Sequence, residues 1–280
     1  MEIVRDTHSV SGAFNRHAPQ YDRHASVQKR VIGRLVELVQ SHLSAAPASV
    51  LDIGCGTGLL LDSLRRLYPE SRLSGLDLAY SMLCRSRERL GPGVTLVQAD
   101  AGLLPFRRGS TDLLVSTSTL QWLADLDGFF QECHRVMSSD SLLCIAFFGG
   151  NTLRELRECC RYMVERFGER GNVLLNRLHT FREMAEVRQS LERAGFDGAL
   201  LTSEIEIEYH ADMFELLRSI KNIGAGAHRH GGGGLGWRRI LDETSRVYQE
   251  RFQSGGAIPA TYEVFYLVAR KPGSQVTEWQ

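Results

Sequence analysis

The sequence predicts a doubly wound α/β fold, a mostly parallel sheet wrapped by helices on both faces. Three observations predict it. Short apolar runs alternate with helical patterns from residue 49 to residue 148, as parallel strands alternate with their crossover helices. The first run, Ser49 to Ile53, passes through Gly54-Cys55-Gly56-Thr57-Gly58 directly into the helical face Leu59, Leu60, Leu61, Leu64 and Leu67. An acid, Asp77, closes the second run about 20 residues beyond the glycines, where this fold often presents a carboxylate to a ribose.

Taken in order, residues 1 to 13 read as frayed, and Phe14 to Ala25 leads into a helix whose face is Val27, Val31, Leu35, Leu38 and Val39. After the glycine turn and its helix, Arg72 to Asp77 is the second strand. Ala79, Met82 and Leu83 open the next helix, with Met82 serving either an adenine face or the core. Val94 to Gln98 is the third strand, followed by Asp100 and Ala101; Leu113 to Ser116 is the fourth, with Asp112 structural at its start. The rim beyond the fourth strand is where open α/β sheets bind ligands, which places Ser116, Thr117, Leu120, Gln121 and Trp122 there. A helix from Leu126 to Met137 precedes the fifth strand, Ser141 to Phe148.

Thr152 to Arg170 reads as an Arg/Glu-rich helix whose charges largely pair along a solvated face. Thr180 to Ala194 is a second helix, closed by a left-handed Gly195. Leu200 to Tyr209 alternates Ile205 and Ile207 with Glu204, Glu206 and Glu208, so one face of this strand is wet. Asp212 caps a helix through Ile220; His228 to Gly236 reads as a loop whose His228 and His230 lack a third metal ligand; Leu235 to Phe252 is a helix and Ala260 to Arg270 a last strand. The expected division is a helical cap at 1–45, a ligand-binding core at 46–150, a helical insertion at 151–195, the rest of the same α/β domain at 196–273, and a tail at 274–280.

The 280 residues suffice for a sizeable core, and 43% hydrophobic with 24% charged residues is ordinary globular composition. Zero formal net charge supplies no field for nucleic acid. Only Lys29, Lys221 and Lys271 among the 33 basic residues are lysine; genomic bias accounts for this, and arginine is also the residue that grips anions with two parallel hydrogen bonds. Six cysteines without metal-ligand spacing, no signal-peptide core and no long apolar run give the expectation of a cytoplasmic, metal-free protein away from membranes, acting as a monomer.

The glycine turn decides the ligand. A dinucleotide fingerprint needs a small residue where this chain has Leu59, and the spacing here is G-x-G-x-G with Asp52 two places ahead. With Val50-Leu51-Asp52-Ile53-Gly54-Cys55-Gly56-Thr57-Gly58 the chain resembles the class I S-adenosylmethionine-dependent methyltransferases. That resemblance implies a Rossmann-like, seven-stranded, mostly parallel sheet with an antiparallel last strand, plus a helical cap and insertion. It implies S-adenosyl-L-methionine as cofactor, bound by Asp52, Gly54, Gly56, Gly58, Asp77, Met82, Asp100, Ala101 and Ser116, with S-adenosyl-L-homocysteine as product. The motif Phe14-x-x-x-Ala18-x-x-Tyr21-Asp22 occurs at the front of several such families, where the tyrosine helps close the pocket.

Further elements narrow the resemblance. Leu120-Gln121-Trp122, Gly150 to Leu156, Ile220 to Ala225 and Ala260 to Val264 are similar, in order and spacing, to the malonyl-[acyl-carrier protein] O-methyltransferases of biotin synthesis, over roughly residues 14 to 270. The glycine- and histidine-rich run at 228–236 departs from that pattern. The resemblance implies methyl esterification of the free carboxylate of malonyl on acyl carrier protein or coenzyme A, and an acidic carrier as partner. A carboxylate with a solution pKa of about 4 needs no base, and the rim residues Ser116, Thr117, Gln121 and Trp122 offer none. Tyr21 and Trp122 are expected to wall the pocket, Arg154 or Arg157 to pair with the carboxylate, and the arginines of 152–170 with Arg238 and Arg239 to form the docking face. Two alternatives stay open: methylation of a small quinone, phenol or other carboxylate, and cofactor binding without catalysis.

Overall fold

The computed structural model describes residues 7–175, 178–224 and 235–273. Its centre is a seven-stranded sheet: β1 (Ser49–Ile53), β2 (Arg72–Asp77), β3 (Thr95–Gln98), β4 (Thr111–Thr117), β5 (Met137–Phe148), β6 (Leu200–His210) and β7 (Ile258–Arg270), in spatial order β3-β2-β1-β4-β5-β7-β6. β1 to β5 are parallel, and β7 runs antiparallel between β5 and β6. All five residues of β1 are buried, as expected of a central parallel strand covered on both faces.

The helices are α1 (Thr7–His17), α2 (Tyr21–His24), α3 (Ser26–His42), α4 (Leu59–Leu67), α5 (Tyr80–Leu90), α6 (Leu126–Val136), α7 (Arg154–Phe167), α8 (Asn172–Leu175), α9 (Met184–Arg193), α10 (Met213–Asn222) and α11 (Leu235–Phe252). On one face of the sheet, Val27, Val31, Leu35 and Val39 of α3 join Leu60 and Leu64 of α4, Leu156 and Met163 of α7, and Tyr248 of α11. On the other, Phe129, Phe130, Cys133 and Val136 of α6 pack with Val187 and Leu191 of α9. Two apolar layers therefore sandwich the sheet. All six cysteines are free thiols, and every one except Cys84 is buried. No helix among the described residues is long and apolar enough to cross a membrane.

Several local expectations change. Residues 7 to 13 are helical rather than frayed, because Ala13 and Phe14 have apolar partners to bury against. The helix expected over Thr152–Arg170 spans only Arg154–Phe167, stopped by Gly168 at φ 60°. The helix expected from Thr180 begins at Met184, since Arg182 instead forms a bridge to Gly149 and donates to the Leu123 carbonyl at 2.7 Å. On β6 it is the isoleucine face that is wet: Ile205 is 51% and Ile207 43% exposed. The glutamates turn inward to α3, where Arg30 meets Glu206 at 2.6 Å and Arg34 meets Glu204 at 2.8 Å. Asp112 is structural as expected, accepting from Ser49 and Ser138, and Asp212 caps α10 through the Glu215 amide. Of the expected loop at 228–236, residues 228–234 lie outside the described residues, as does the tail at 274–280, and residues 235 and 236 already belong to α11.

Candidate active site

The strand order reverses between β1 and β4, so the carboxyl ends of β1, β2, β3 and β4 open on a common crevice. A cavity of about 280 Å³ occupies it. Its floor is Gly54 and Gly56 after β1, Asp77 to Ala79 after β2, Ala99 to Gly102 after β3 and Thr117 to Thr119 after β4; Trp122 to Asp125 form one side, and Val10, Ser11, Phe14 and Tyr21 of the cap close the top.

The glycine turn is held by its own backbone. Gly54 and Cys55 amides both donate to the Leu76 carbonyl, at 2.7 and 2.9 Å, and the Gly56 amide donates to Asp77 Oδ2 at 2.9 Å. The other Asp77 oxygen accepts from the Ala79 amide at 2.8 Å. Burial raises the Asp77 carboxyl above the ordinary range while these amides pull it back. Gly54, Gly56 and Gly58 all have positive φ, where an L side chain is strained.

Asp52 is 1% exposed, and neither carboxylate oxygen has a partner among the described residues. Burial first, then the neighbouring Asp77 charge, pushes its pKa well up. Asp52 does not line the cavity but lies two residues before Gly54, which does, and an orphaned buried carboxylate there favours a cationic ligand head, so with Asp77 and Asp100 in the lining the residues present fit S-adenosylmethionine. A sign follows for pH. Burial and the Asp77 charge hold the Asp52 pKa up in the free protein, and a cation beside it lowers that pKa. Binding should then release protons rather than take them up, and weaken as pH falls. Calorimetry in two buffers of different ionisation enthalpy measures this, and proton uptake on binding would contradict the assignment.

The remaining expected residues divide. Tyr21, Trp122, Met82, Asp100 and Ala101 line the cavity; Asp100 also accepts from the Gly102 amide at 2.8 Å, leaving its other oxygen for a ligand. Gly58 does not line the cavity; the nearest lining residue of the turn is Gly56, two positions earlier. Ser116 does not reach the wall: it is fully buried and donates to the Ile53 carbonyl at 2.6 Å, tying β4 to β1, and Leu120 likewise turns into the core. Arg154 is 62% exposed and pairs with Glu155 at 3.2 Å. Arg157 is half-buried, donating to the Thr152 carbonyl at 3.1 Å and to the His179 carbonyl, with its guanidinium 5.7 Å from the Phe181 ring centre. Burial, then the nearby Arg161 charge, lowers its pKa.

Sequence reasoning missed three parts of the site. Ser118 sits in the cavity wall at φ 56°, a left-handed conformation uncommon for serine and typical of functional positions. The His179 ring packs at a tilt 4.5 Å from Trp122, with Nε2 3.0 Å from the Gln121 carbonyl, and Phe181 follows at 4.9 Å, so this stretch backs Trp122 from outside the cavity lining. Asp22 fastens the cap: it accepts from Thr57 Oγ1 at 2.7 Å and pairs with Arg89 at 2.5 Å, so the residue next to Tyr21 grips the glycine turn itself. The tyrosine-aspartate pair in the sequence was the available signal for the last; nothing local signals the other two.

A sheet of this order, with a glycine turn, an orphaned acid and acids after the second and third strands, defines an S-adenosylmethionine-dependent methyltransferase. Residues 51–145 match the methyltransferase-domain family. The malonyl-[acyl-carrier protein] O-methyltransferase of Geobacter sulfurreducens is 42% identical over 95% of this chain and 99% of its own length, and that of Laribacter hongkongensis is 35% identical over 96% and 91%. The chain belongs to the malonyl-[acyl-carrier protein] O-methyltransferase family. Among solved structures, a phosphoethanolamine N-methyltransferase of Haemonchus contortus bound to S-adenosyl-L-methionine shares the fold, with TM-score 0.52 and 18% identity over 86% of this chain and 52% of that one.

Proposed function

We propose that the chain esterifies the free carboxylate of a malonyl thioester carried on acyl carrier protein, in the cytoplasm, for the synthesis of biotin's pimeloyl precursor. One observation beyond family membership carries this reading. Ser118 and Thr119 line the cavity beside Trp122 and neither is a general base, while Arg157, half-buried and with no carboxylate partner among the described residues, stands behind that side, bonded to the carbonyl of His179, whose ring packs on Trp122. An anionic acceptor suits that combination, because a carboxylate is ionised at neutral pH and attacks without losing a proton.

The bound cofactor supplies a methyl group on a positively charged sulfur. Each residue then has a task of alignment or exclusion. Asp77 would hold the ribose hydroxyls and Asp100 the adenine amino group, both from the cavity lining, and Asp52 from behind it would favour the ammonium. Tyr21 and Phe14 from above and Trp122 from the side keep water from the reacting atoms, and holding the oxygen about 3 Å from the methyl carbon is the main catalytic contribution. Arg157 fixes the carboxylate plane. Bound there, the cofactor would give its methyl to one carboxylate oxygen and leave as a neutral thioether, the product being the neutral ester.

Transfer of labelled methyl to malonyl-carrier, compared with succinyl-carrier and free malonate, tests the reading. Malonyl-carrier should be favoured, and the gene should rescue a biotin-requiring strain. Equal use of free malonate would point instead to a small-molecule enzyme.

A further inference from the structure

Of the arginines that the sequence offered for docking, Arg154 and Arg166 are held in ion pairs and Arg157 is bonded to backbone carbonyls, while Arg161, Arg238 and Arg239 are exposed. Arg154 pairs with Glu155, Arg166 with Glu243 at 2.7 Å, and Glu158 takes Arg251 at 3.0 Å; Arg239 lies within electrostatic reach of the same Glu243. A different cationic group stands free where the cap meets α10. Arg16 and His17 end α1, and Arg218 and Lys221, three residues apart, share one face of α10 near its end. Arg16, Arg218 and Lys221 are exposed, and no carboxylate pairs with any of them among the described residues. Burial first, then the charges of the nearby Arg16 and Lys221, lowers the His17 pKa.

Nearby acids are committed elsewhere. Asp22 serves Thr57 and Arg89, Asp212 caps α10, and Glu215 accepts from the Ala211 amide at 2.6 Å. The next stretch, residues 225–236, contains no Asp or Glu. The negative ends of the α1 and α10 dipoles let these cations stand without a carboxylate, which leaves their charged heads available to an outside anion.

The group borders the site. A Cβ on Gly224, just after α10, would lie 3.0 Å from the Phe14 ring, and that ring stands edge-on to Trp122 at 5.5 Å while lining the cavity. Asn222 reaches His24 at 3.3 Å, seating α10 on the cap. In a chain of zero net charge, unbalanced positive charge is thus gathered beside the cap residues that close the cavity.

We propose that Arg16, Arg218 and Lys221 are the docking face for the acidic surface of the carrier protein that presents the acceptor. This rests on the carrier-bound acceptor proposed above. Charge complementarity selects the occupant: exposed cations on two elements match a carboxylate-rich protein surface and steer its encounter.

The test compares Arg16→Glu/Arg218→Glu/Lys221→Glu with Arg72→Glu/Arg107→Glu/Arg108→Glu, which makes the same charge change at the opposite end of the strands. Malonyl-carrier and malonyl-CoA are both assayed at low ionic strength. The first variant should raise KM for malonyl-carrier about tenfold or more, with kcat and the KM for malonyl-CoA within about twofold, and the second should leave both KM values within about twofold. Added salt should raise the wild-type KM for malonyl-carrier and shrink the difference between variants. The neutral variant Arg16→Gln/Arg218→Gln/Lys221→Gln should fall between, and unchanged calorimetric affinity for S-adenosylmethionine certifies each fold. An unchanged KM for malonyl-carrier overturns the docking face. So does an equal rise for malonyl-CoA, which would assign the cations to the phosphate arm that both substrates share, or an equal rise in the control variant. If the wild type turns over malonyl-CoA but not malonyl-carrier, the functional reading fails together with the docking face; turnover of malonyl-carrier with no change in KM sinks the docking face alone.

Discussion

Gly56→Ala should fold and fail to hold the cofactor, whereas Gly54→Ala should fail earlier, in the fold. Both glycines have positive φ, 54° and 71°, so each alanine carries about 1–2 kcal/mol of left-handed strain. Their surroundings separate them. A Cβ on Gly56 meets no atom within 4 Å, and Gly56 borders the cavity, so the new methyl enters the space the ligand needs. A Cβ on Gly54 would lie 2.0 Å from Thr119 Oγ1 and 2.9 Å from Thr119 Cβ, so rotating that side chain does not clear it. Thr119 in turn is bonded to the Ile53 and Thr117 carbonyls, at 3.3 and 3.2 Å, and moving it disturbs the end of β4.

Overpacking adds about 1–3 kcal/mol to the strain, so Gly54→Ala should lose about 3 kcal/mol of stability or more. At this chain length that is a Tm drop of roughly 5–10 °C. Gly56→Ala should lower Tm by only a few degrees and weaken S-adenosylmethionine by about 2–3 kcal/mol, roughly 30- to 150-fold. Thermal melts and calorimetry on the two variants read this directly. Adding Thr119→Ala should restore part of the Gly54→Ala loss and none of the Gly56→Ala loss. Equal affinity of Gly56→Ala and wild type would remove the turn from the donor site.

What the sequence revealed and what it hid follow from how far each signal reaches. β1, the turn and Asp77 were legible because each is local: a buried run, residues that tolerate positive φ, an acid at a fixed interval. Ser116 was misjudged at the resolution of one residue, because alternate side chains of β4 face opposite layers. It donates into the core while Thr117 faces the cavity. Which face of β6 is wet was not legible, for a tertiary reason. Its isoleucines would occupy the covered face by hydrophobicity alone, yet Arg30 and Arg34 of α3 approach from that side and take the glutamates. The strap at 178–183 has no periodic pattern, and its place depends on contacts with residues more than 50 positions away, such as the Gln121 carbonyl. The arginine helix was legible as a helix, but which of its charges are free depends on Glu243 and Arg251 of α11.

That last distinction sets the second large effect. Arg157→Ala should cut kcat/KM for malonyl-carrier while Arg154→Ala leaves it within about twofold, because a 62% exposed, screened ion pair is worth little. The guanidinium of Arg157 is half-buried, bonded to two carbonyls and to no acid, so its charge is uncompensated until an anion arrives. Hydrogen bonds to charged groups contribute about 1.5–3 kcal/mol, so the expected loss is roughly 10- to 150-fold, with cofactor affinity unchanged. Since Arg157 also secures the His179 carbonyl, a loss of activity alone would not separate grip on the substrate from support of the strap. Binding of acetyl-carrier separates them. It lacks the carboxylate, so wild type should bind malonyl-carrier more tightly than acetyl-carrier, and Arg157→Ala should bind the two alike. Arg157→Lys keeps the charge but loses the paired donors, and should recover only part of the difference. A variant that still discriminates the two carriers while losing activity would leave Arg157 as support for His179 and Trp122 and assign the carboxylate to another group.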